Sequence, residues 1–262
     1  MAFWKLGPHF AFYFCRNNLG RDSLAHSPKL GSYARMKILA LDTALPAVSA
    51  CVYDASTQMR LVGETVPMER GHAEALLPLI HRVMDQVEGG FASLDRIAVT
   101  VGPGSFTGIR MALSAARAFG LALKIPVVGV STLSAFAAPL VLTPKPGTIV
   151  SAIDARHGQV YVQAVTPNGS VLLAPCVLPL DEVFDKLGFG LIRVTGSAAS
   201  MLALKGAARH IDVQIEGETL APNIDFVARL GALADPAAAP PTPLYIKPPD
   251  VKPPAPFLSG RA

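Results

Sequence analysis

A faint internal duplication constrains the fold of this chain more than any other feature of its sequence. When segment 148–169 is laid under segment 38–54, Asp154 falls below Asp42 at an offset of 112 residues. Both segments have strand composition on either side of a polar turn, and each is followed by a helical stretch and then by a strand that ends in glycine. The repeat predicts two related α/β halves, each with a mixed sheet.

The same pattern predicts the domain organisation. We expect a first half over residues 36–138, a second half over 139–235 and a Pro-rich tail over 236–262 that lies extended on the surface or protrudes. Residues 1–35 are aromatic-rich and aperiodic, and Met36 directly precedes a clean strand. This segment is interpreted as an unstructured extension or a misassigned start, with a transit-like or membrane-touching arm as the alternative.

Composition and charge narrow the classes of function. With 51% hydrophobic and 16% charged residues, the chain is expected to fold around a core. The net charge of +4 comes from residues 1–35, and the rest of the chain carries 18 basic and 18 acidic residues. Composition therefore does not indicate a positively charged surface for binding nucleic acid. No apolar run approaches the roughly 20 residues of a membrane span. A cytoplasmic protein without disulfide or zinc framework is expected, since the three cysteines are widely spaced: Cys15, Cys51 and Cys176.

The stretch VGPGSFTGIR permits two interpretations. In the first, a strand, a glycine turn and a helix aim backbone amides at a phosphate, with positive φ and close approach allowed at Gly102, Gly104 and Gly108. The lysine of a phosphate-binding loop is missing, however, and Arg110 lies inside the helix. In the second, small residues on the helix leave a face along which another helix packs closely, and the sequence favours this interpretation.

Several longer motifs carry a family resemblance. DTALPAVSACVYD, GHAEALLPLI, GPGSFTGIRMALSAARAFGLAL and IDARHGQVYVQ together resemble the TsaB (YeaZ) family of tRNA threonylcarbamoyladenosine biosynthesis proteins, over roughly residues 36–200. The resemblance implies the actin-like, Hsp70-like and sugar-kinase-like fold, which is ribonuclease H-like and consistent with the duplication. It also implies a non-catalytic scaffold that pairs with a TsaD-like catalytic subunit, recruits a TsaE-like ATPase, forms a homodimer when alone and meets tRNA only through the complex.

The resemblance implies that the partner contact lies on two helices of the first half, residues 71–88 and 107–122. Exposed apolar surface on such helices needs covering. The candidate contact residues are Leu76, Leu77, Ile80, Met84, Gly108, Met111, Ala112, Ala115 and Phe119.

The residues at the catalytic positions of the wider family argue against chemistry in this chain. Where TsaD-type sequences carry two metal-binding histidines, the alignment places Thr132 and Phe136, which are poor ligands. We therefore expect no cofactor, no metal and no catalytic residue. The alternative is an ATP-binding kinase or ATPase of the actin-like class, with Asp42 or Asp154 positioning magnesium. What remains of a nucleotide site would comprise Asp42, Gly102, Gly104, Ser105 and Asp154.

Overall fold

Two five-stranded mixed sheets form the centre of the protein, seen in a computed structural model that describes residues 36–143, 145–188 and 190–247. The expectations for residues 1–35 and for the end of the Pro-rich tail lie outside the described residues. The first sheet contains β1 (Lys37–Asp42), β2 (Ala47–Asp54), β3 (Met59–Pro67), β4 (Arg96–Gly102) and β5 (Val127–Ser131). The second contains β6 (Thr148–Asp154), β7 (Gln159–Val165), β8 (Val171–Pro179), β9 (Ile192–Thr195) and β10 (Val213–Gly217).

The two sheets share one topology. Their strand orders are β3-β2-β1-β4-β5 and β8-β7-β6-β9-β10. In each, the first three strands pair antiparallel, and the last two run parallel to the first. The aspartates that the repeat aligns, Asp42 and Asp154, end the two corresponding central strands. The predicted α/β fold of two related halves with mixed sheets is confirmed.

Six α-helices and two short 3₁₀ helices complete the described part of the fold. The helices are α1 (His72–Met84), α2 (Phe106–Leu123), α3 (Thr132–Val141), α4 (Val183–Leu187), α5 (Ala199–Ala208) and α6 (Ile224–Leu233). The 3₁₀ helices cover Gly90–Ser93 and Leu180–Glu182. Ser105 caps the start of helix α2, and its side chain accepts a hydrogen bond from the Gly108 amide at 3.2 Å. Within the described ranges, no helix has the length and apolar character needed to cross a membrane.

Helix α3 packs against strands of both sheets, and helix α6 packs on the first sheet. Helix α3 contacts β6 and β7 of the second sheet as well as β4 and β5, and α6 contacts β1, β2, β4 and β5. Ile224, Val227 and Ala228 of α6 share one core cluster with Ile38 and Ala40 of β1. Residues 224–233, which the sequence places in the second half, thus pack on the sheet of the first half.

Helices α1 and α2 pack on the other face of the first sheet. Their buried side chains share a second core cluster with Leu39, Leu41 and Val99 of strands β1 and β4. Leu76, Ile80 and Met84 recur on the buried face of α1 at a spacing of four residues, which is the spacing of one helix face. The two helices also contact one another. They therefore form the outer layer of the first half.

Candidate functional site

The glycine turn between β4 and α2 packs against the turn that follows β1. The Ser105 amide donates a hydrogen bond to the carbonyl of Ala44 at 2.7 Å, and the Thr43 hydroxyl donates to the carbonyl of Gly108 at 2.6 Å. A Cβ atom on Gly104 would overlap the carbonyl oxygen of Ala44, and one on Gly108 would overlap that of Thr43. The glycines thus allow two turns of the same chain to touch. The Ser105 amide, which a bound phosphate would need as a donor, is already bonded to the Ala44 carbonyl.

Asp42 lies beneath this contact and is fully buried. Its Oδ1 accepts hydrogen bonds from the Ala44 amide at 3.0 Å and from the Thr100 hydroxyl at 2.5 Å. Among the described residues its Oδ2 has no hydrogen-bond partner. Burial raises the pKa of this carboxyl above its usual range, more than the hydrogen bonds lower it. Asp42 therefore braces the turn through Ala44 and Thr100, and its side chain does not reach the surface.

The other members of the proposed vestigial nucleotide site are divided between two places. Gly102 has a φ of 107°, and a Cβ there would press on Ile109 and on the Leu244 carbonyl, so it lies beside Gly104 and Ser105 in the packed turn. Asp154 is exposed in the second half, where it accepts a hydrogen bond from the Arg156 amide at 2.8 Å. Its own amide donates to the Ser197 hydroxyl at 3.3 Å. The first bond lies within the β6–β7 hairpin, and the second ties the hairpin to the turn after β9.

The residues at the metal-binding positions of the wider family do not fit a metal. Thr132 and Phe136 are both buried, and among the described residues the Thr132 hydroxyl has no hydrogen-bond partner. Phe136 packs in the core cluster of the first sheet. The described part of the chain brings together no group of three or more histidine, cysteine, aspartate or glutamate side chains that could hold a metal ion. A hydroxyl and a phenyl ring cannot replace two imidazoles.

An open groove of about 570 Å³ runs between α1 and α2. Four of the predicted contact residues lie in its walls with side chains that reach the surface: Leu77, Met111, Ala115 and Phe119. Leu77 is 49% exposed although it is apolar. The ring of Phe119 stacks on that of Phe91, with 5.2 Å between ring centres. These contacts fix the groove on rigid elements, and its chemistry suits an apolar partner surface.

The other predicted contact residues are buried in the protein's own core. Leu76, Ile80, Met84 and Ala112 have side chains between 0% and 3% exposed, and Gly108 is buried as well. Leu76 reaches the floor of the groove, but the others face the first sheet. The correction has a physical reason: the most regular apolar spacing on a helix marks the face that covers its own sheet.

The small residues of α2 lie against the protein's own fold. Gly108, Ala112, Ala116 and Gly120 all lie on the buried face of the helix. A Cβ on Gly120 would overlap the side chain of Val127 on β5. Small side chains therefore bring α2 close to its own sheet and to the β1 turn.

A cluster that the sequence did not predict closes one end of the groove. The Phe106 and Tyr245 rings stack with 5.1 Å between centres, and the Arg110 guanidinium carbon lies 3.7 Å from the centre of the Phe106 ring. Tyr245 comes from the Pro-rich tail, which the Leu244 amide fastens to β4 by a hydrogen bond of 2.7 Å to the Val101 carbonyl. The four-residue spacing of Phe106 and Arg110, which places them on one helix face, was the sequence signal for this cluster. That spacing does not indicate that Tyr245 of the Pro-rich tail packs against them.

The fold and the closed glycine turn together define the class: an α/β protein of two related halves, each built on a mixed five-stranded sheet, with an outer helical groove. A family model described as "TsaD: tRNA N6-adenosine threonylcarbamoyltransferase" matches residues 64–218. YeaZ from Pseudomonas aeruginosa has a solved structure that superimposes with a TM-score of 0.64 at 25% identity, covering 80% of this chain and 99% of that one.

Sequence relatives agree. The tRNA threonylcarbamoyladenosine biosynthesis protein TsaB of Buchnera aphidicola subsp. Schizaphis graminum is 34% identical over 154 residues, which is 57% of this chain and 72% of that protein. TsaB of Escherichia coli is 33% identical over 126 residues, or 48% and 53% of the two chains. An uncharacterised protein of Mycobacterium tuberculosis is 33% identical over 219 residues, or 82% and 94%. The chain belongs to the TsaB (YeaZ) family, and the predicted resemblance is confirmed.

Proposed function

We propose that this protein is a non-catalytic subunit of the complex that forms threonylcarbamoyladenosine in tRNA, and that its α1–α2 groove binds a TsaD-type catalytic subunit. Relatives of the chain carry the name tRNA threonylcarbamoyladenosine biosynthesis protein. The observation that carries the proposal is the open apolar groove, with Leu77, Met111, Ala115 and Phe119 in its walls. Apolar surface of this kind on rigid helices is typical of a protein–protein contact.

The closed glycine turn favours the role of a non-catalytic scaffold over that of an ATP-using enzyme. An ATPase of the actin-like class needs backbone amides and a carboxylate that face the nucleotide. Here the Ser105 amide is bonded to Ala44, and Asp42 is buried with a hydrogen bond to Thr100. The chain would therefore act by binding, and the catalytic subunit would supply the metal and the reacting groups.

We propose the remaining partners as members of the same complex. Before the protein binds the catalytic subunit, a second copy of the chain would cover the groove, so that the protein is a homodimer when alone. A TsaE-type ATPase would dock near the junction of the two subunits and reset the complex after each reaction. Contact with tRNA would be indirect, in the cytoplasm where the complex meets its substrate. We propose these roles together because each depends on the groove being a surface for association.

Reconstitution tests the proposed function. The full chain, the TsaD-type and TsaE-type subunits of the same organism and unmodified tRNA are combined with threonylcarbamoyl-adenylate, and modified nucleoside is measured by mass spectrometry after digestion. We expect modification with the full set and little or none when this chain is left out. Equal modification without the chain, or ATP hydrolysis by the chain alone, would contradict the proposal.

A further inference from the structure

Arg110 is the one charged residue among the described residues that line the α1–α2 groove. Its Nε donates a hydrogen bond to the Tyr245 hydroxyl at 2.8 Å, and its guanidinium carbon lies 3.7 Å from the centre of the Phe106 ring. The Tyr245 ring is farther away, at 5.8 Å. Two aromatic side chains therefore hold the guanidinium in a defined orientation before any partner arrives, which lowers the entropy cost of using it in an interface.

The charge of Arg110 is not neutralised within the described part of the chain. The ion pairs formed there use other cations, such as Arg82 with Glu64 and Arg209 with Asp185. The hydrogen bond to Tyr245 occupies Nε and leaves the two terminal nitrogens as donors. A guanidinium at the end of an apolar groove is costly to cover with another protein unless that protein brings a counter-charge.

We infer that Arg110 anchors the partner helix through an ion pair with an aspartate or glutamate, and that Tyr245 is the positioning residue that orients Arg110 for it. The inference rests on the proposed function, since it specifies the occupant of the same groove. The occupant is an amphipathic helix of the TsaD-type subunit with an apolar face for Leu77, Met111 and Ala115, and one acidic residue at the end nearest Arg110. A helix without that carboxylate would bury an unpaired charge and be rejected.

The Pro-rich tail is the element that delivers Tyr245. Three hydrogen bonds to main-chain atoms hold the tail on the first half: the Gly129 amide to the Ala239 carbonyl at 2.9 Å, the Arg117 guanidinium to the Pro241 carbonyl at 2.5 Å, and the Leu244 amide to the Val101 carbonyl. The end of the groove is thus built from α2 and the tail together. Tyr245→Phe should keep the stacked ring and lose only the hydroxyl that fixes Arg110.

The test measures binding of the full chain to the TsaD-type subunit at low and high ionic strength. Arg110→Gln should weaken binding about 10-fold at low salt and flatten the salt dependence, because an interfacial ion pair is lost. Arg156→Gln is the matched control, because it makes the same change in an exposed turn of the second half and should bind like wild type. Tyr245→Phe should weaken binding less, and the double variant should be no weaker than Arg110→Gln alone.

Charge reversal identifies the carboxylate. Arg110→Glu should bind poorly, and lysine at one acidic position of the partner's helix should restore its binding. The inference is wrong if Arg110→Gln binds within about twofold of wild type with an unchanged salt dependence, or if it weakens only self-association. In those cases, binding by the wild-type chain that is lost in Ala115→Arg would show that the groove proposal stands. If the wild-type chain does not bind the TsaD-type subunit, the proposed function itself fails, and the inference fails with it.

Discussion

The carbonyl oxygen of Ala44 accepts a hydrogen bond from the amide of Ser105 at 2.7 Å, so the turn after β1 lies directly against the start of α2. An amide at the start of a helix is otherwise a ready donor for a phosphate. Here Gly104 and Gly108 let the backbone of Ala44 and Thr43 approach the start of the helix closely. The Ser105 amide is therefore bonded within the chain and is not available to a phosphate in this arrangement.

Gly108→Ala should lower the free energy of unfolding by about 1–3 kcal/mol, because the added methyl group has no room in a packed contact. It would overlap the Thr43 carbonyl, which belongs to the buried β1 turn. Denaturant unfolding measures the change. Ser114→Ala on the exposed side of the same helix should stay within about 0.5 kcal/mol of wild type. Equal stability of the two variants would mean that the turn contact is looser than described.

Asp42→Asn should remove a pH dependence of stability. Burial raises the pKa of Asp42 in the folded protein, so the folded state holds this proton more tightly than the unfolded chain does. Stability therefore decreases as pH rises from the unfolded pKa, about 3.9, through the raised folded value. The asparagine variant should lack this decrease and be at least as stable as wild type at neutral pH. If the free energies of unfolding of wild type and Asp42→Asn changed in parallel across the acidic pH range, the raised pKa of Asp42 would be contradicted.

Glu216→Gln should destabilise the second half by about 2 kcal/mol, because it weakens a charge-assisted hydrogen bond to a buried guanidinium. The Arg193 side chain is 1% exposed, and its Nε donates to Glu216 at 3.0 Å. That bond lowers the pKa of Glu216, so its contribution is present above the unfolded pKa and is lost as pH falls through the folded value. Asp185→Asn, which breaks the exposed pair with Arg209, should cost at most about 1 kcal/mol. Equal losses would contradict this difference.

Calorimetry with magnesium and ATP should give no saturable heat with the isolated full chain. The reason is steric, since the turn that would hold the phosphates is filled by Thr43 and Ala44. A titration of the TsaD-type subunit under the same conditions serves as the positive control. A saturable signal that Asp42→Asn abolishes would favour the ATPase alternative.

Much of the fold could be predicted from the sequence, because strand periodicity and turn residues are local signals. The repeat around Asp42 and Asp154 predicted both central hairpins, and the glycine turn predicted the start of α2. Helix α6 could not be assigned to its sheet, because its partner strands lie in the other half of the chain. Nothing local in the sequence indicates that packing.

The candidate site was predictable only in part. Ile80 and Met84 were assigned to a partner interface from the family resemblance, but their apolar spacing reflects burial against the protein's own sheet. Leu77, one residue away from that face, is the exposed one. The groove's end at Arg110 depends on Tyr245, which is 135 residues away in the chain. Contacts over such a distance are set by tertiary packing and leave no periodic signal.

Co-elution of the Ala115→Arg variant with the TsaD-type subunit tests the account most directly. Ala115 lies in the wall of the groove, so an arginine there should block a partner helix while leaving the fold intact, as circular dichroism and thermal unfolding would show. Leu204→Arg, on an exposed position of α5, is the control that should co-elute normally. The account predicts that the folded Ala115→Arg variant elutes alone. Co-elution as complete as that of wild type would contradict it.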